Sequence, residues 1–352
     1  MIDRDAIDEA AGGERPPLHL LAPERAARWL LARQLKNAEA AGHRLAIGDD
    51  PEALHDFRVA LRRFRSIERA HREWVADALP KKLRKRLREL VQSTGPARDS
   101  EVQLGWLDQQ RAAALRPNQR TGYQWLRRRL EDRMRQGYSA IRAAVPLEFA
   151  SLSALLRAAL AMPAASTPTS FARVTGERLK PLLAELGGGF TDIGDDEEKM
   201  AHVHAARLLV KQVRYLLEPV AAALPDGKDL VRQLGGLQDL LGAMHDAEVL
   251  GVSLGEAAAD AGAARYRGLV RQALGEGTDE FGPVARQRSD ERAGLTALAR
   301  RAREQMRSGR AELLAKIRRG EVAALMQRLD TAAEQLAPPR GSGLPYLVRS
   351  NA

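Results

Sequence analysis

One stretch of this chain occurs twice, and the repetition constrains the fold more than any other feature of the sequence. His55-Asp-Phe-Arg58-Val-Ala-Leu-Arg62-Arg63-Phe-Arg65 is echoed by His204-Ala-Ala-Arg207-Leu-Leu-Val-Lys211-Gln-Val-Arg214, with His204 lying 149 residues after His55. Downstream the copies stay in step at an offset of 147 residues, because Lys81, Leu83, Lys85, Leu87 and Leu90 match Lys228, Leu230, Arg232, Leu234 and Leu237. Gly95-x2-Arg98-Asp99-x-Glu101-Val102 then matches Gly242-x2-His245-Asp246-x-Glu248-Val249. The two-residue slip falls between predicted helices, where loops tolerate deletions. A duplicated series must bury the same faces twice, which predicts two helical bundles related by a pseudo-two-fold axis.

The rest of the chain is rich in Ala, Leu, Arg, Glu and Gln, with apolar residues at three- and four-residue spacing and almost no period-two alternation. That pattern predicts an all-α protein. Residues 18–162 form the expected first half, 163–170 a Pro/Ser/Thr linker and 171–337 the second half. Residues 1–17 and 338–352 are expected to be poorly ordered ends. Helix breaks are expected at Asp50-Pro51, Pro80, Gly95-Pro96, Pro117, Pro146, Gly187-Gly188-Gly189, Pro225-Asp226-Gly227, Gly275–Pro283 and Ser308-Gly309. Helices from about Ala285 to Leu336 have no echo in the first half.

On a helix at 100° per residue, His55, Arg58, Arg62 and Arg65 fall within roughly 80° of arc. Phe57, Ala60, Leu61, Phe64 and Ile67 lie on the other side. The second copy puts His204, Arg207, Lys211 and Arg214 on the same stripe, opposite Leu209, Val213, Leu216 and Leu217. Each helix therefore buries one face and presents a row of cations about 15 Å long. Arg63 and Arg69 add to the basic content of the first helix. Like charges in such a row repel, and an extended anion removes that repulsion while gaining bidentate guanidinium–phosphate bonds. His55 and His204 share the stripe and either touch the anion or cap and pack their helices. His71 and His202 fall on the apolar side and read as core-edge residues.

Residues 55–90 carry 12 Lys/Arg against 5 Asp/Glu. Lys81 and Lys85, with their counterparts Lys228 and Arg232, form either a second wall of the same groove or a solvated face. Asp99 and Asp246 follow Gly-containing breaks and are read as supports that cap a helix or hold a stripe arginine, ahead of any acid–base role. Arg127-Arg128-Arg129, Arg133 and Arg135 wrap around their helix and read as mostly solvated.

Composition narrows the classes further. The excess of 56 Lys+Arg over 46 Asp+Glu, net +10, favours polyanionic partners. With no cysteine, disulfides and thiolate metal sites are excluded. No His/Asp/Glu spacing supplies a metal site, and no cofactor is implied. Aromatics at 4% are too sparse for a base-stacking surface, and Trp74 and Tyr215 lie beside the stripes instead of within them. The acidic N-terminus is unlike a signal peptide, and no uncharged apolar run of bilayer length is present, since even Leu152–Met162 carries Arg157. The expected location is the cytosol.

The paired His/Arg helices, together with Leu237-Gln-Asp-Leu-Leu-Gly-Ala-Met-His245-Asp246, resemble the conserved-histidine α-helical domain, abbreviated CHAD, over about Leu20 to Leu336. The resemblance implies two pseudo-symmetric helical bundles, binding of inorganic polyphosphate in a central basic groove, and association with polyphosphate granules in some bacteria. By position it implies that His55, Arg58, Arg62, Arg65, His204, Arg207, Lys211 and Arg214 contact the ligand. Lys211 departs from the pattern by replacing an arginine, which keeps the charge and loses the planar fork. Members are sometimes fused to a CYTH-type triphosphatase bearing Glu-x-Glu-x-Lys. Here only Asp195-x-Glu197-x-Lys199 approaches that motif, and it reads as an acidic helix start, so a triphosphatase or granule protein would be a separate partner. The expected function is non-catalytic polyphosphate binding, with nucleic acid only as a non-specific polyanion. A helical nucleic-acid-binding protein and a magnesium-dependent phosphoanhydride hydrolase are the competing readings.

Overall fold

The computed structural model describes residues 16–48, 50, 52–163, 167–193, 200–275 and 289–338. Among the described residues there is no strand, as the helical periodicity requires. The first series comprises α1 (Pro23–Ile47), α2 (Ala53–Ala70), the short α3 (Arg72–Val75), α4 (Lys81–Ser93), α5 (Gly95–Gln109) and α6 (Pro117–Leu160). The second comprises α7 (Phe171–Asp192), α8 (Met200–Leu217), α9 (Gly227–Ala273), α10 (Ser289–Arg318) and α11 (Glu321–Leu336). Pro51, the Asp195–Lys199 motif and both chain ends lie outside the described residues.

Several expected breaks are real. Gly48 ends α1 at a left-handed φ of 92°, and Pro117 opens α6 at its first position, where a missing N–H costs nothing. Others are corrected. Pro146 lies inside α6, Gly187–Gly189 inside α7, Gly242 inside α9 and Gly309 inside α10. The contrast between Gly95-Pro96 and Gly242-Ala243 has a physical reason. Proline cannot donate to the preceding turn and restricts the residue before it, so the first copy splits into α4 and α5 while the second runs through as α9. The glycine triplet of α7 is carried by burial of Leu183, Leu186 and Phe190. Gly309 marks a contact, since a Cβ there would stand 2.6 Å from Met244 Cγ.

The packing runs in parallel in the two series. α6 lies on α1, α4 and α5, while α10 lies on α9 and α11 lies on α7. The helices without a sequence echo thus take, in the second series, the place of α6 in the first. Two apolar cores result, and each takes residues from both series. The larger unites α1, α2 and α4 with α7, α8 and α11. The smaller is a four-helix cluster of α5, α6, α9 and α10, with Leu107, Leu126, Leu254 and Leu298 at its centre.

The smaller cluster closes on a glycine crossing. A Cβ on Gly122 would lie 2.3 Å from the Glu291 carbonyl oxygen, and one on Gly294 would lie 2.3 Å from the Gln119 carbonyl oxygen. Both obstacles are backbone, which cannot swing away. Gly122→Ala is therefore expected to lower stability by about 1–3 kcal/mol through overpacking, measured by chemical denaturation, despite alanine's better helix propensity.

α6 contains an 18-residue window of mean hydropathy 1.4, apolar enough by length and composition to cross a bilayer. In this fold its residues Ile141, Val145, Phe149, Leu152 and Leu156 are buried in the larger core. Arg127 is ion-paired to Asp108 and to Glu131, and Arg129 to Asp260, so these two tie helices together, while Arg128, Arg133 and Arg135 are exposed, as expected of a mostly solvated cluster. His71 is fully buried, as expected of a core residue, whereas His202 is exposed.

Candidate functional site

The basic stripes exist because α2 and α8 are strongly two-faced. α2 buries Leu54, Phe57, Ala60, Leu61, Phe64 and Ile67, and α8 buries Val203, Ala206, Val210, Val213, Leu216 and Leu217. Those faces fix the rotation of each helix and leave the cations on the other side. α2 and α8 also pack on each other, so the two stripes meet.

Lys211 records the meeting. Burial and the charges of Arg62, Arg207, Arg69 and Arg65 lower its pKa to about 8. Three of those four arginines come from α2, across the helix pair. Its ammonium also stands over the Tyr215 ring, 5.7 Å from the centroid. Among the described residues no carboxylate lies within ion-pair distance of Arg62, Arg65, Arg69, Arg207 or Lys211. The nearest candidate, Glu68, is taken by Arg72 at 3.2 Å and Arg84 at 3.3 Å. Arg65 is also lowered, by burial and by Arg69 and Arg88. Among the described residues, five cations from two helices thus share a partly desolvated site without an ion-paired carboxylate, Glu68 acting on Arg65 only through space.

The ends of the stripes are held. Arg58 donates to the Val91 carbonyl at 3.2 Å and to Thr94 Oγ1 at 2.5 Å, and the Thr94 hydroxyl donates to the same carbonyl at 2.9 Å. Burial lowers the Arg58 pKa, and Asp99 opposes that shift. Arg58 is therefore pinned to the end of α4, with its fork partly used. Arg214 donates to Gln238 Oε1 at 3.3 Å and passes beside Gly235, where a Cβ would stand 3.9 Å from the guanidinium carbon. His204 packs against His245 with ring centroids 5.0 Å apart, while His55 is half-buried in the first turn of α2.

Asp99 and Asp246 come together across α5 and α9. The Asp99 carboxyl is raised by burial, against the opposing pull of Arg58 and with a further push from Asp246. The expectation that they cap helices is corrected. Asp246 sits in the middle of the unbroken α9, and Asp99 lies in the second turn of α5, where the cap position belongs to Thr94. The arginine-holding role fits Asp99, which acts on Arg58 through space.

The other sequence candidates divide. Lys81, Lys85, Lys228 and Arg232 are all exposed, with Lys85 3.7 Å from Glu89 and Arg232 ion-paired to Asp229. Of the α4 cations, Arg88 is the one whose charge is felt at Arg65. Arg63 lines another cleft, with Arg33, Glu218 and Tyr215. Two groups were missed: Arg98, whose charge acts on Arg58, and His245. The signal was available, because Arg98 and His245 occupy the same repeat position directly before Asp99 and Asp246. Each also faces a carboxylate three residues on, Arg98 to Glu101 at 2.7 Å and His245 to Glu248 at 3.5 Å. Among the described residues no group of three or more acidic or histidine side chains converges as a metal site would require.

The fold is all-helical and sets the paired His/Arg helices against each other, and sequence comparison assigns its family. The family model for the CHAD domain matches residues 29–255, so the chain belongs to the CHAD domain family. Its fold is similar to that of the CHAD domain from the plant Ricinus communis, at 18% identity and a TM-score of 0.54, covering 90% of this chain and 93% of that one. It is also similar to PptA from Streptomyces chartreusis, at 17% identity and a TM-score of 0.61, covering 85% and 99%. No match was found among the curated proteins.

Proposed function

We propose that this protein binds inorganic polyphosphate, without catalysis, along the groove where the α2 and α8 stripes meet. The carrying observation is the Lys211 site: Arg62, Arg65 and Arg69 of one helix crowd a lysine of the other, and among the described residues no carboxylate is ion-paired to them. A fold keeps such repulsion only against a free-energy cost, and a multivalent anion converts it into attraction. A chain of phosphates presents charge along its length, matching a row of cations at helical spacing, and needs no base-reading or stacking groups. The adjoining Asp99 and Asp246 set an acidic limit to the track at one end. Within this reading the protein works in the cytosol, at polyphosphate granules where these form, beside separate enzymes of polyphosphate metabolism. Nucleic acid is then a non-specific competitor.

Long-chain polyphosphate is expected to bind with an affinity that falls by about tenfold or more between roughly 50 and 200 mM salt, as counterion release requires. It should outcompete single-stranded RNA at equal phosphate content in a filter-binding titration. Equal affinity for the two polymers would overturn the proposal.

The lowered Lys211 pKa adds a pH signature. The ligand favours the charged lysine, which in the free protein is lost as pH rises through about 8. Affinity should therefore fall on the order of tenfold from about pH 7 to about pH 9.5, with proton uptake on binding near the middle of that range. Lys211→Arg, charged throughout, should flatten the profile in calorimetric titrations at several pH values.

A further inference from the structure

Beside the groove, at the end of α2 and α8 away from Asp99, lies an open cleft of about 880 Å³ between α3, α7 and α8. Its walls include Trp74, Tyr215, Leu182, Leu208 and Gln212, and at its edge stand Arg69 and Lys211 of the groove. Its other charges cancel in pairs. Arg178 is ion-paired to Glu73 at 3.0 Å, and Arg173 to Glu177 at 3.0 Å. The cleft is thus a poor continuation of a polyphosphate track, since beyond Arg69 and Lys211 it offers neutralised cations and two carboxylates. It does offer flat and apolar surface: Leu208 is 42% exposed there, and the Trp74 and Tyr215 side chains line it. Lys211 joins the two regions, its ammonium over the Tyr215 ring and its charge among the groove arginines.

A ligand that satisfies both regions has an anionic tail and an uncharged, flat, hydrogen-bonding head. We propose that the cleft binds the nucleoside of a nucleoside 5′-polyphosphate, with the base against Trp74 and Tyr215 and the phosphates reaching Arg69 and Lys211. The size is suitable, since small-molecule sites span about 300–1,000 Å³ and mix apolar walls with a few polar groups. The Gln212 amide supplies a donor and an acceptor for a base edge. The proposal rests on the groove as an anion site, because the tail uses two of its cations.

The test compares adenosine 5′-tetraphosphate with inorganic tetraphosphate, equal in phosphate number, in equilibrium titrations of the full chain. The nucleotide should bind about ten- to hundredfold more tightly, the range expected of base–aromatic stacking, and should quench tryptophan emission. Trp74→Leu should erase both the advantage and the quenching while leaving inorganic tetraphosphate affinity unchanged. Leu208→Glu, on the exposed wall and clear of the core, should erase the advantage in a protein whose folding is not in question. Equal affinity for the two ligands in the unsubstituted protein, with inorganic tetraphosphate binding intact, overturns the cleft proposal alone. Failure of both ligands to bind overturns the groove reading and the cleft proposal with it.

Discussion

Lys211→Glu is expected to weaken long-chain polyphosphate binding by about 100-fold or more while raising thermal stability. The two signs follow from one arrangement. In the free protein the lysine is a partly buried cation among Arg62, Arg65, Arg69 and Arg207, and a carboxylate in its place would pair with them. In the complex the same carboxylate would face phosphate oxygens and occupy the arginines they need. Hydrogen bonds to charged groups contribute about 1.5–3 kcal/mol each, so losing the lysine contact and one diverted arginine accounts for the stated factor. Opposite movement of affinity and melting temperature separates this outcome from simple unfolding. Parallel loss of both would show that Lys211 supports the fold and leave the site without its central cation.

The second large effect concerns stability in acid. His71 is fully buried against Phe171, with ring centroids 4.9 Å apart and both ring nitrogens unpartnered, and burial with the nearby Arg178 charge lowers its pKa to about 3. In the unfolded chain the ring takes a proton near the ordinary histidine value. As pH falls below about 6.5, the unfolded state binds a proton the folded state refuses. This one group then costs stability at about 1.4 kcal/mol per pH unit, down to about pH 3. At pH 5 the loss is about 2 kcal/mol. His71→Phe removes the titration and the two unsatisfied nitrogens while filling similar volume. Denaturation at pH 7 and pH 5 should show a substantially smaller acid-induced loss in the variant. An unchanged pH dependence would mean that other groups set acid stability.

Much of this was legible in the sequence because it depends on helical period. Once Phe57, Leu61, Phe64 and Ile67 are buried, the directions of Arg58, Arg62 and Arg65 are fixed, and the same holds for Leu209, Val213 and Leu217 against Lys211 and Arg214. What periodicity does not carry is which helices meet. The pairing of α2 with α8, the distance between Asp99 and Asp246, and the Arg63 cleft all depend on tertiary packing. Helix continuity was hard to read for a different reason. Gly242, Gly309 and the Gly187–Gly189 triplet are weak helix formers, yet neighbouring apolar burial and close helix crossings outweigh about 1 kcal/mol of propensity per glycine. Proline at Gly95-Pro96 breaks the chain where glycine alone at Gly242 does not. Exposure, unlike burial, gives no direction, so periodicity alone does not separate a second wall from a solvated face at Lys81, Lys85, Lys228 and Arg232. Lys81 and Lys228 share a repeat position, and a repeated solvated face is as consistent with that as a repeated contact.

The central claim is that one anion spans both stripes. Calorimetry with polyphosphate of a defined, short chain length tests it most directly, using the unsubstituted protein, Arg62→Ala on α2 and Arg207→Ala on α8. A shared groove predicts one bound chain per protein, and each single variant weakens that same site while stoichiometry stays at one. Two chains per protein, with each variant abolishing one and leaving the other at full affinity, would contradict it and make the stripes independent sites.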